Sequence, residues 1–225
     1  NAVVDLLKES SHRKLAYAVL PMGNDFFQTD GTTNATTKGT IVDHDGRRAK
    51  TVMTGKLAFI WAVEQLAAVC PVYIPAIPGN HDKESTLWMA HVIDAWFHRS
   101  KRVTVDLNPA SRKYVHWGCN LVGFDHGDKM NESKLPNIMP AERPKEWAES
   151  TCREWLLAHQ HRSRQWVTKT TDTYEGVTVR TLMALSGTDA WHFDKGYIGT
   201  LQAAEVYWYS RDNGYSGHGI AKARV

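Results

Sequence analysis

Cysteine is scarce in this 225-residue chain: Cys70, Cys119 and Cys152 are the only three, and their spacing suggests no pairing. Such usage argues against a secreted disulfide scaffold. Each lies in an apolar segment, so the reading is of buried, reduced thiols in a cytoplasmic setting. Long hydrophobic runs are also lacking, since none approaches the roughly 20 residues that a membrane helix needs. Charge of one sign is not in excess. With 27 Lys and Arg against 24 Asp and Glu, the net charge of +3 permits a nucleic-acid partner without arguing for one. There is no internal repeat, low-complexity tail or linker, and the length suits one domain, 1–225, with a sizeable core. Tryptophan is plentiful, at nine, and packing accounts for most of it.

What the chain does have is a set of short apolar segments that end in polar residues. Residues 72–78 read as a buried strand bounded by prolines, and they deliver Gly79-Asn80-His81-Asp82. Taken alone, that tetrapeptide also reads as a turn followed by a helix-capping Asp82. Upstream, 15–22 is a second buried-strand candidate that runs into Gly23-Asn24-Asp25. Downstream, 120–124 runs into Asp125-His126-Gly127-Asp128, and 155–158 into His159-Gln160-His161. Strand C-termini are where α/β sheets place their sites. Asp25, Asn80, His126, His159 and His161 are all able to bind a divalent metal, and none is a thiolate.

In this order the motifs resemble those of the calcineurin-like metallophosphoesterase superfamily. Its signature runs D-x-H, G-D-x-x-D, G-N-H-[DE], a lone His, and G-H-x-H; motifs two to five cover residues 23–161 here. The first is missing, because no Asp is followed two positions later by His. The chain opens on Asn1, and 2–8 reads as an amphipathic helix already under way. The resemblance therefore implies a preceding strand that ends in D-x-H; the alternative is a relative that has lost one metal site. Two further departures stand out. Gln28 occupies the place of a second Asp that often partners the catalytic His, with Asp30 as a nearby substitute, and Ala158 replaces a Gly.

The resemblance implies an α/β fold of two packed mixed sheets flanked by helices, a four-layer α/β/β/α sandwich. It also implies two divalent ions, with manganese first and iron or zinc as alternatives. Ions roughly 3.5–4 Å apart neutralise phosphoryl oxygens and activate the attacking oxygen. On that pattern Asp25 would bridge the ions, and Asn80, His126 and His159 would bind the second. His161 would join the absent D-x-H on the first. His81 would bind neither ion and would protonate the leaving oxygen. Asp30, Asp82 and Arg162 are candidates for support or substrate contact. Gly23-Asn24-Asp25 and the 123–128 stretch are most similar to phage-encoded and SbcD-type DNA repair nucleases. This implies a phosphodiesterase acting on DNA, as an exo- or endonuclease. A phosphomonoesterase or protein phosphatase, and a catalytically inactive binding relative, are the alternatives. A homodimer or an ATPase partner would fit the same resemblance; a membrane would not.

Periodicity predicts helices over 56–69, stopped by Pro71, and over 85–98, with Trp88, Val92, Ala95 and Trp96 on the buried side. Strands are predicted over 102–107, 113–117 and 120–124, then a helix over 142–152 with Pro144 in its first turn. Strand character returns at 176–185 and 204–210, followed by a Gly-rich turn over 213–219 before a last strand. Residues 29–40 read as a polar loop beside the Asp25 motif, and 43–48 as a turn with solvated charges in which His44 has no metal role. His12, His91, His98, His116 and His218 are read as structural, and 189–192 as packing. The basic pairs at 47–48, 101–102 and 112–113 are read as solvated surface.

Overall fold

The computed structural model describes residues 2–31, 35, 39, 46–159, 171–185 and 202–223. The chain is mixed α/β, with several sheets flanked by helices. It divides into two units, Leu7–Ser111 and Asn1–Leu6 with Arg112–Val225, each taken by itself below. The chain begins in helix α1, Ala2–Ser10.

The first unit is built on a parallel sheet. Strands β1 (Ala18–Val19) and β2 (Met22–Gly23) pair with successive halves of β3 (Val72–Ile77), and β4 (Val103–Asp106) also pairs with β3. The apolar run 15–22 is thus two short strands rather than one, broken at Leu20-Pro21, where proline offers no N–H to the ladder. Between the strands lie α2 (Arg48–Val69) and α3 (Lys83–Phe97). Phe59, Ile60 and Val63 from α2 and Met89, Ala90 and Ile93 from α3 share one core with Val72 and Ile74 of β3.

Both helices differ from the sequence reading. Helix α2 starts eight residues earlier than the predicted 56, through Thr51, Thr54 and Gly55, whose helix propensities are poor. Tertiary contacts override that preference. Arg48 donates to Thr29 and Ser85, and the absence of a side chain at Gly55 lets Phe26 and Phe27 approach to under 3 Å of where a Cβ would stand. Arg48 is consequently a tie and not the solvated charge expected. By length and composition α2 also meets the measure of a membrane span, with mean hydropathy 1.3 over an 18-residue stretch; Lys56 and Glu64 interrupt the run in sequence. In α3 the buried face is Thr86, Met89, Ala90 and Ile93, not Trp88, Val92, Ala95 and Trp96. Trp88 and Trp96 are 71% and 53% exposed. The i, i+3, i+4, i+7 set of smaller residues wins because it forms one stripe that the sheet can approach.

The second unit holds a mixed sheet in the order β5-β6-β7-β9-β8: Lys113–Trp117, Asn120–Asp125, Cys152–Leu157, Val177–Thr181 and Thr171–Tyr174. Strands β6, β7 and β9 are mutually parallel, and β5 and β8 are antiparallel edges. Leu121, Trp155, Leu157, Val177 and Val179 face Leu135 and Met139 of α4 (Leu135–Glu142). Trp155 is fully buried, and its indole N–H donates to Leu135 O at 3.1 Å.

The helix expected over 142–152 is instead the end of α4, then α5 (Pro144–Glu149), then the start of β7. Pro144 pushes Arg143 out of the helical region, to φ −131°, and opens α5 at its first turn. The Gly-rich stretch is a strand, β11 (Gly214–Lys222), paired antiparallel with β10 (Ala203–Ser210). Gly217 and Gly219 lie opposite Trp208 and Val206 in that pairing. Cys70 is buried as expected, whereas Cys119 and Cys152 are partly exposed and adjacent.

Candidate functional site

In the first unit, the site residues sit where β2 and β3 end. Asn24 N donates to Ile77 O at 2.8 Å, extending the β2–β3 pairing by one bond. The backbone then turns through two left-handed residues, Asn24 at φ 57° and Asp25 at φ 64°. Consecutive non-glycine residues in that region carry a local cost and need surrounding contacts to hold them. Asp82 supplies those contacts. Its buried carboxylate accepts from Gly79 N at 3.0 Å and from Asp25 N and Phe27 N at 3.3 Å. Burial pushes the Asp82 carboxyl above its ordinary range, and the nearby Asp25 charge adds to the shift. Asp82 begins α3, but its side chain makes no cap to that helix, so it is a clamp for the two strand tips.

Asp25 Oδ1 accepts from His81 N at 2.8 Å. Gly79 is required between them, because a Cβ there would stand 2.0 Å from that same oxygen. The His81 ring places Nδ1 3.0 Å from Gln28 O. A carbonyl only accepts, so Nδ1 carries a proton. The His81 ring thus meets a main-chain carbonyl and not Asp30, the nearby carboxylate expected to partner it. Asp30 accepts from Glu84 N at 3.0 Å and Ser85 N at 2.8 Å, capping the start of α3. Asn80 follows Gly79, partly buried at the tip of β3.

In the second unit, His126 and His159 follow the parallel neighbours β6 and β7, whose last paired residues are Asp125 and Leu157. Their ring centroids are 4.9 Å apart at an interplanar angle of 64°. His126 is only 2% exposed. His159 is left-handed at φ 61°. The neighbouring Asp125 carboxyl is raised by burial, and its Oδ1 accepts from Gly127 N at 2.7 Å, which fixes the turn after His126. His161, Arg162, His44 and residues 189–192 lie outside the described residues. Of the histidines read as structural, His98 bonds its own helix at Ala95 O, His116 faces Glu149 at 3.9 Å, and His218 meets Tyr215 Oη at 2.6 Å.

Two contributions were not read from the sequence. Asn24 has a buried Oδ1 with no hydrogen-bond partner among the described residues; its tolerance of a left-handed backbone was the available signal. Gln28 acts through its main chain, so no side-chain pattern could have announced it. Comparison of the chain with protein-family models, curated proteins and solved structures gives no match.

Proposed function

We propose that this chain is a metal-dependent phosphoesterase that hydrolyses phosphodiester bonds, with DNA as its substrate. The observation that carries the reading is the arrangement of Asp25, His81 and Asp82: a strand-tip carboxylate clamped by hydrogen bonds beside an imidazole whose outer nitrogen faces away from the protein's own carbonyl. The assignment of ligands follows motif order in the chain, together with what each unit holds by itself. In motif order, Asp25, Asn80, His126, His159 and His161 would be the ligands for two divalent ions, manganese first with iron or zinc as alternatives. Carboxylate, amide and imidazole donors without thiolate suit that choice. When bound, the ions would neutralise phosphoryl charge and lower the pKa of an attacking water. The chain's own residues then have separate tasks. Asp82 holds Asp25 in its left-handed turn. Gln28 fixes the His81 tautomer. As an imidazolium, His81 would deliver its Nε2 proton to the leaving oxygen and keep the Nδ1 proton on Gln28 O, steadying the developing charge. The four-layer sandwich belongs to the same reading, as does a cytoplasmic setting.

The test is hydrolysis by the protein, with and without added manganese, of bis(p-nitrophenyl) phosphate beside p-nitrophenyl phosphate, followed by labelled single- and double-stranded DNA. Manganese-dependent cleavage of the diester and of DNA, lost in Asp25→Asn, supports the reading. Activity on the monoester alone moves the protein to the phosphatase alternative. No hydrolysis, combined with retained DNA binding, moves it to a binding relative.

A further inference from the structure

Cys119 Sγ and Cys152 Sγ lie 3.7 Å apart, in van der Waals contact, and both residues are partly exposed while Cys70 is buried. Backbone hydrogen bonds hold them in place. Cys152 N and Thr151 N both donate to Cys119 O, at 2.9 and 3.0 Å, and Cys119 N donates to Arg211 O at 2.7 Å. A direct backbone bond between two residues keeps their α-carbons within the about 4.4–6.8 Å that a disulfide spans. The sulfurs need only close to about 2.05 Å, which side-chain rotation supplies. Gly214 stands over the pair: a Cβ there would be 2.4 Å from Cys152 Sγ, so the β10–β11 turn reaches the thiol only because that residue is glycine.

We propose that Cys119 and Cys152 are an oxidation site, a thiol pair that forms an intramolecular disulfide on exposure to a peroxide. One thiolate attacks an oxygen of hydrogen peroxide; the O–O bond breaks, and hydroxide leaves, taking up the thiol's proton to become water. The resulting sulfenic acid is attacked by the second thiolate. The S–S bond forms, the S–O bond breaks, and hydroxide again leaves as water with the second proton. Two electrons pass from the sulfurs to the peroxide, so two thiols and one peroxide give one disulfide and two waters. Burial and the neighbouring thiol hold Cys119 above the usual thiol range, so the reaction quickens as pH rises and thiolate accumulates. The bond would clamp the starts of β6 and β7, the strands that carry His126 and His159 at their other ends.

The experiment treats the full chain with stoichiometric hydrogen peroxide, alkylates the remaining thiols, and maps peptides by mass spectrometry. The expected result is one peptide pair joined through Cys119 and Cys152, with Cys70 still alkylated after unfolding and the bond reversed by dithiothreitol. Cys119→Ser and Cys152→Ser each lose the cross-link, and Cys70→Ser keeps it. The thermal midpoint of the oxidised protein rises by roughly 5–10 °C, from closure of the intervening loop. Sulfinic acid on either cysteine without a cross-link, or a bond between two chains, overturns the proposal. So does a fall in the midpoint, because the disulfide would then not fit the native geometry. The wild-type map decides the matter even where a serine variant folds poorly.

Discussion

The backbone N–H of His81 donates to Oδ1 of Asp25 at 2.8 Å, joining residues 56 apart in sequence. One bond therefore sets both the orientation of the carboxylate and the place from which the His81 side chain departs. The imidazole turns the other way, to Gln28 O, so backbone and side chain of one histidine hold two separate parts of the 23–30 loop. On the proposed reading, metal binding and proton delivery fall to neighbouring groups that can be perturbed independently.

His81→Asn is expected to leave manganese binding nearly intact, since the proposed role of the ring lies outside metal coordination. Turnover of a DNA substrate should fall by roughly 10²–10⁴-fold. The loss should be smaller on nitrophenyl esters, whose leaving groups need little protonation. Calorimetric metal titration beside kinetics on both substrates checks this; abolished metal binding, or wild-type turnover on DNA, would remove His81 from the role. Asn80→Ala should differ, weakening metal binding and recovering in part with added manganese.

Gly79→Ala tests the packing of the same corner. With a Cβ only 2.0 Å from Asp25 Oδ1, either the carboxylate or the β3 tip must move. A loss of about 1–3 kcal/mol in urea unfolding is expected, the usual scale for overpacking. Metal affinity should fall with it. Unchanged stability would mean that the two strand tips are not held together in solution.

Asp82 makes a prediction with a sign. Its folded-state carboxyl is raised, so between the ordinary carboxylate pKa and the raised one the folded protein holds a proton that the unfolded chain has released. Stability from this group is therefore greatest below that window and falls as pH rises through it. Unfolding of wild type and Asp82→Asn, compared across mildly acidic pH, isolates the effect, because the amide does not titrate and other carboxylates cancel. The difference should narrow or reverse toward higher pH in favour of the variant. Asp82→Ala should cost about 2–4 kcal/mol at the acidic end of that window, for it leaves three N–H groups without their acceptor, and less as pH rises through it.

Tryptophans in the two units should respond in opposite ways. Trp88→Ser, at a residue 71% exposed on α3, should change stability by less than about 0.5 kcal/mol. Trp155→Ala should cost about 3–5 kcal/mol, since the ring is fully buried against Tyr114 and its N–H is satisfied by Leu135 O. Denaturant midpoints of both variants measure the contrast.

The strands were the most legible part of the sequence. Bounds for β5 agree with the predicted 113–117, and β3 and β6 agree within a residue, because apolar runs of that length bounded by Pro, Gly or Asn have few other readings. Helix faces were less legible. Residue size pointed to Trp88 and Trp96, whereas the sheet accepts the smaller Ala90 and Ile93, a choice made by the partner surface and invisible in the helix alone. Glycine misled at 213–219, where it spaces a strand opposite Trp208 instead of turning the chain. At the site, the positions of Asp25, Asn80, His81, His126 and His159 at strand ends were readable. The roles of Asp82 and Gln28 were not, since one acts on backbone N–H groups across the fold and the other through its own carbonyl.

Strands β6 and β7 run in parallel register, Asn120 beside Cys152 through to Asp125 beside Leu157. That register makes the ladder a ruler: each strand measures out how far along the sheet its terminal histidine emerges. The chain between the strands, 126–151, carries α4 and α5 and can lengthen or shorten over generations without disturbing that measurement. A single residue gained or lost inside either strand cannot, because the side-chain alternation would turn over with it and send the imidazole to the opposite face. Length variation among descendants of this sequence should therefore collect between the strands and spare the strands themselves.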